Sequence, residues 1–165
     1  MMLSVMVVGA GAAFSDQSKI KNTEAVDMCT ALNIIGGYPD GTFKPEGNIT
    51  RAEVATIFFR LLRDPVRTQY WSQTNDYPDV AFNKWYNNAI STLSNMGIIC
   101  GYPDGSFRPN RPITRAETCT IVNRPLGRKP EKDHLLPESD MINWPDNLDR
   151  NVWYYAQMQE ATNSH

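Results

Sequence analysis

Apolar residues recur along this chain at helical spacing, in short runs separated by turn-forming clusters. Ala25, Val26, Met28, Cys29 and Leu32 predict a helix over Asn22–Asn33, and Trp85, Ala89, Ile90, Leu93 and Met96 predict another over Asn83–Met96. Gly36 and Gly37 break the first, Gly97 and Gly101 the second. A different kind of helix starts at Thr50 and Thr114. There Thr-x-x-Glu precedes an apolar run, so Thr50 with Glu53, and Thr114 with Glu117, form capping boxes. Ala52, Val54, Ala55, Ile57, Phe58 and Leu61 then supply a broad apolar face. Between the two helix types lies Tyr-Pro-Asp-Gly. Proline presets φ in this turn, aspartate bonds the backbone two residues on, and glycine supplies a positive φ. Phe43 and Phe107 are expected to fold back as aromatic plugs, with Pro45 and Pro109 keeping the loop extended.

These elements belong to a repeat. Residues 37–60 and 101–124 align without gaps at an offset of 64, with 15 of 24 positions identical. Tyr77-Pro78-Asp79-Val80 opens the second copy, and Phe14-Ser15-Asp16 the first. Trp144-Pro145-Asp146 opens a third, where Trp153-Tyr154 matches Trp85-Tyr86. The expected organisation is a first repeat over 14–62, a linker over 63–76, a second repeat over 77–124, a charged and proline-rich linker over 125–143, and the head of a third repeat over 144–165. A helix pair of this size cannot bury its face alone, so neighbouring copies must cover it.

Composition narrows the function classes. The chain has 165 residues, 41% hydrophobic and 21% charged, with a formal net charge of −2. That is a globular composition without the basic footprint of a nucleic-acid binder. No run is long enough to predict a transmembrane segment. Met1–Ala13 is apolar and ends in small residues, which reads as a secretory signal remnant lacking its charged start. Three cysteines make no disulfide framework, and Cys29 and Cys119 read as buried thiols within helical patterns. His134 and His165 have no zinc spacing, Tyr-Pro-Asp-Gly has too few acids for a calcium loop, and no phosphate loop occurs. No metal and no cofactor are expected.

The blocks Gly-Tyr-Pro-Asp-Gly-Thr-Phe-Lys-Pro (37–45) with Ile-Thr-Arg-Ala-Glu (49–53), and Gly-Tyr-Pro-Asp-Gly-Ser-Phe-Arg-Pro (101–109) with Ile-Thr-Arg-Ala-Glu (113–117), carry a resemblance. The repeat resembles the S-layer homology (SLH) domain. The resemblance implies a mainly α fold of tandem helix-loop-helix SLH repeats, in a pseudo-threefold arrangement with an incomplete third repeat. It implies a secreted, non-catalytic module at the cell surface or cell wall. Such a module anchors its parent non-covalently by binding an anionic secondary cell-wall polysaccharide, often pyruvylated, in grooves between repeats. Alternatives are a structural module assembling with other SLH or S-layer chains, and a peptidoglycan-binding tether. The chain departs from the family pattern at Lys21, which stands where the second copy has Trp85, and at Gly36 and Cys100 before the loop glycine.

Residue chemistry adds to this. Arg51 and Arg115 each fall in the first turn of a helix, where a cation opposes the macrodipole. A cation placed there twice points to an anionic guest, since the helix start also offers free N–H groups and arginine a fork matched to carboxylate. Trp85 and Trp153 are candidate platforms for sugar rings. Tyr38 and Tyr102 are candidates to line the same groove. Asp40, Asp104, Gly41 and Gly105 are expected to shape its walls, with the aspartates also able to bond sugar hydroxyls. Glu53 and Glu117 are assigned to capping, so no catalytic pair is expected.

Overall fold

A computed structural model describes residues 14–163; the expected signal segment, 1–13, lies outside them. Six α-helices occur among the described residues: α1 (Thr23–Ala31), α2 (Arg51–Leu61), α3 (Asp64–Tyr70), α4 (Asn87–Asn95), α5 (Arg115–Asn123) and α6 (Tyr155–Thr162). The fold is mainly α, and none of the helices is long and apolar enough to cross a membrane. The chain divides into two compact units between Asn48 and Ile49. That division falls inside the first sequence repeat, between its loop and its second helix.

In the larger unit, each first helix is covered by the second helix of the preceding copy. α2 packs on α4, and α5 packs on α6. The core joins Ala52, Val54 and Ala55 of α2 to Ile90 and Leu93 of α4, with Val80, Tyr86, Ile98, Ile99, Phe107 and Ile121. The predicted capping boxes are present in full: Thr50 and Thr114 accept from the N–H of Glu53 and Glu117, whose side chains accept in return. α4 starts four residues later than its apolar pattern suggests. Trp85 therefore lies in the turn ahead of it, and Tyr86 is its N-cap. Tyr154 stands at the same place before α6, with nearly the same backbone angles. The segment 63–76 carries α3, opened by Pro65 at its start. Asn75 donates to Asn87 and Ser91, and Ser72 N–H to Thr92, which ties this segment to α4.

The smaller unit holds α1 and the first Tyr-Pro-Asp-Gly loop. Among the described residues it contains no second α-helix; Met28 and Leu32 are 60% and 64% exposed, whereas Val26 and Cys29 are half-buried. Cys29 is half-buried, whereas Cys119 is buried and its thiol is pushed up by that burial.

Both loops are closed by the same device. The aspartate that opens each copy accepts two consecutive backbone N–H groups, Asp16 from Phe43 and Lys44 at 2.8 Å each, and Asp79 from Phe107 and Arg108 at 2.9 and 2.7 Å. Lys44 and Arg108 sit at φ +57°, a left-handed conformation that costs a non-glycine residue energy and needs such an external hold. The opening aromatic then packs on the loop phenylalanine, Phe14 on Phe43 and Tyr77 on Phe107, at 5.4 and 5.3 Å between centroids. The loop can approach this closely only through glycine: a Cβ at Gly101 would lie 2.5 Å from the Tyr77 ring and 2.7 Å from the Ser106 carbonyl oxygen. Gly101→Ala is expected to destabilise the protein by about 1–3 kcal/mol, the usual cost of overpacking, read as a lowered urea midpoint at unchanged slope.

Candidate functional site

The two equivalent arginines stand in different surroundings. Arg51 is 6% exposed. Its Nε donates to the Phe107 carbonyl and its Nη2 to the Cys100 carbonyl, both at 2.9 Å. Nη1 lies 3.5 Å from Glu117 Oε1. The guanidinium is 4.7 Å from the ring centre of Tyr102 and 4.5 Å from that of Phe107. The loop of the second copy also fills the start of α2: Arg51 N–H donates to the Arg111 carbonyl and Ala52 N–H to the Pro109 carbonyl. The first turn of α2 is thus engaged by protein.

The first turn of α5 is open. Among the described residues no acceptor meets the N–H groups of Arg115 and Ala116. Arg115 lies over the Trp144 ring at 4.4 Å, and its Nη1 donates to Asp146 Oδ1 at 2.8 Å, with both side chains about half exposed. Above this helix start runs an open groove of about 400 Å³. Its walls are Tyr102 and Arg111 from the loop, Thr114–Glu117 from α5, Asp146 from the third opening, and Trp153, Tyr154 and Met158 around the start of α6. Trp153 is 67% exposed and meets Tyr154 edge-on.

Glu117 organises this groove. Its Oε2 accepts from the Thr114 N–H and hydroxyl, and its Oε1 from Tyr102, Arg111 and Arg51. Arg111 also donates to the Tyr102 hydroxyl. Burial pushes the Glu117 carboxyl up, and the Tyr102 hydroxyl, the Thr114 donors and the Arg51 charge outweigh it, so it lies below its ordinary 4.5. Burial and the bond to Glu117 push the Tyr102 phenol up. Tyr102 therefore stays a neutral donor, and Glu117 is shared between Arg111 in the groove and the buried Arg51 behind it.

Of the residues expected from sequence, Tyr102, Arg115 and Trp153 come together here, with the capping pair Thr114 and Glu117. Trp85 is 65% exposed, against Tyr86, and does not line the groove. Asp104 shapes its turn: Oδ1 accepts from the Ser106 N–H and hydroxyl, and Oδ2 pairs with Arg108. These contacts, the Ser106 hydroxyl first, hold its carboxyl well below the usual range. Asp40 does the same in the smaller unit, where Thr42 and Lys44 lower it to about 2. Gly41 and Gly105 supply φ +77° and +80° in these turns. Tyr38 lies in the smaller unit beneath Lys44, 4.3 Å from its ring centre. Sequence reasoning missed Arg111. The available signal was its difference from the first copy, which has Gly47 at that position.

Truncating the two motif arginines should separate their roles. Arg51→Ala removes one partner from a buried polar cluster and is expected to cost about 3–5 kcal/mol. Arg115→Ala removes half of an exposed pair and should stay within about 1 kcal/mol. Urea titrations of both variants check this. A carboxyl lowered in the folded state stabilises above its unfolded value and loses that contribution as pH falls through its folded value. Melting temperatures followed from about pH 6 down to about pH 2 should therefore fall more steeply for the wild type than for Glu117→Gln.

Known proteins share these blocks. The S-layer homology domain profile matches residues 13–55 and 76–119, together just over half of the chain. A cellulosome-anchoring protein of Acetivibrio thermocellus is 35% identical over 86% of this chain. A middle cell wall protein of Brevibacillus brevis is 32% identical over 70% of it, and an endo-1,4-beta-xylanase A of Thermoanaerobacterium saccharolyticum 33% identical over 65%. The chain spans 30%, 11% and 9% of the lengths of these three proteins. With both matched blocks carrying the same loop clamp and the same capping box, the chain belongs to the S-layer homology domain family.

Proposed function

We propose that this chain is a non-catalytic cell-surface module that binds an acidic cell-wall polysaccharide, one bearing carboxylates such as pyruvate ketals, and so anchors the protein that carries it. The observation that supports this reading most is the groove over the open start of α5. It combines two half-exposed arginines, Arg111 and Arg115, with unengaged helix N–H groups and the exposed Trp153 ring. Guanidinium forks and helix-start N–H groups suit a carboxylate. An exposed indole offers an apolar face to a sugar ring. Arg51 takes a positioning role in this proposal, holding Tyr102 and Glu117 from behind, and Trp85 is a second platform outside the groove. The names of the relatives, a cellulosome-anchoring protein and a middle cell wall protein, support a place at the cell envelope. That an endo-1,4-beta-xylanase A matches over only 9% of its length is consistent with an accessory module rather than a catalytic one.

A second reading, assembly with other surface-layer chains, draws on the exposed Met28 and Leu32. The two readings separate on purified sacculi. An anchor should sediment with walls that keep their pyruvylated polysaccharide and stay in solution when that polysaccharide is stripped. Arg115→Ala and Trp153→Ala should each weaken sedimentation, by about tenfold or more for the arginine if its charge-assisted bonds contribute in the usual range. Binding should also weaken from low to molar salt, because exposed charges are screened. Equal sedimentation with stripped walls, or indifference to Arg115→Ala, contradicts the anchor reading; retention on stripped walls favours peptidoglycan, and self-association without walls favours assembly.

A further inference from the structure

The aspartates that open the three copies do not do the same thing. Asp16 and Asp79 each engage both carboxylate oxygens on two backbone N–H groups of a loop. Asp146, at the same place in the third opening, has no such loop among the described residues. It is about half exposed, and one oxygen accepts from Arg115 Nη1 at 2.8 Å. Arg115 differs from its own counterpart in the complementary way. Arg51 donates to two loop carbonyls, whereas Arg115 donates to Asp146. Arg115 and Asp146 pair with each other inside the groove, with Trp144 backing the guanidinium.

We infer that Asp146 is an internal competitor at the groove's anion site, setting how tightly, and for which acids, Arg115 is available. This rests on the acidic-glycan reading above. The Asp146 carboxylate occupies the guanidinium position that a ligand carboxylate would take. An exposed pair of this kind contributes little and exchanges readily, so it filters ligands without closing the site. A sugar carboxylate displaces Asp146 when its ring also contacts Trp153. A free carboxylate without a ring gains only what Asp146 already provides and is rejected. Asp146 is therefore a specificity-determining residue whose removal should strengthen binding, opposite to the loss expected from truncating a residue that contacts ligand. It should also narrow the difference between sugar-borne and simple carboxylates.

The test is calorimetric titration of the whole chain with two probes, a monosaccharide bearing one pyruvate ketal and free pyruvate, at fixed ionic strength. Wild type is compared with Asp146→Asn, Asp146→Glu, Arg115→Ala and Asp133→Asn, the last removing an exposed carboxylate outside the groove. Asp146→Asn should bind the ketal about two- to fivefold tighter, the reach of an exposed ion pair, and should gain at least as much for pyruvate. Asp146→Glu and Asp133→Asn should match wild type, and Arg115→Ala should bind neither probe. Equal or weaker binding by Asp146→Asn, or the same gain from Asp133→Asn, overturns the competitor role while leaving the glycan reading intact. No ketal binding by folded wild type or by Asp146→Asn overturns both.

Discussion

A buried guanidinium holds one copy of this repeat to the next. Arg51 projects from the start of α2 into the loop of the following copy, where it meets two carbonyls, two aromatic rings and the edge of Glu117. Such a charge is tolerable in an interior only when its donors are met. The loop must therefore hold one conformation, and much of the larger unit's architecture provides for that. Asp79 fixes the loop backbone, Gly101 lets it close on Tyr77, and Phe107 fills the space beneath. Carbonyls of the same loop then satisfy the first N–H groups of α2. Fold and site are coupled through this contact, because Glu117 and Tyr102, which Arg51 touches from one side, face the groove on the other.

The same constraint explains the pairing of helices. A two-helix repeat presents more apolar surface than it can cover by itself, so α4 takes α2 of the preceding copy and α6 takes α5. The unit of packing is shifted by one helix from the unit of sequence, and the division after Asn48 follows that shift. The consequence for chemistry is an asymmetry between sites of identical sequence. Ile-Thr-Arg-Ala-Glu is closed over by a loop at 49–53 and faces a groove at 113–117. One motif thus gives a structural tie in the first place and a half-exposed cation in the second.

This asymmetry marks the limit of what the sequence shows. The repeat, the mainly α character and both capping boxes are legible in it, because they depend on local spacing and on side chains acting within one turn. The turn roles of Asp40 and Asp104 are legible for the same reason. The surroundings of Arg51 and Arg115 are not, since the two lie in the same five-residue motif and differ only in what another part of the chain brings to them. Arg111 escapes a search for shared residues because it differs between the copies. The exposure of Met28 and Leu32 escapes as well, because the periodicity of α1 specifies a face for burial without showing what covers it.

The proposed occupant of the groove over the start of α5 is an acidic glycan. The chain's four tryptophans provide a direct measurement, since Trp144 backs Arg115, Trp153 walls the groove, and Trp71 and Trp85 lie outside it. Indole N–H resonances can be followed by nitrogen-15 correlation spectroscopy as pyruvylated wall polysaccharide is added. Trp144 and Trp153 are expected to shift together along one binding curve while Trp71 stays in place. Saturable binding that leaves both Trp144 and Trp153 unmoved would contradict the proposal.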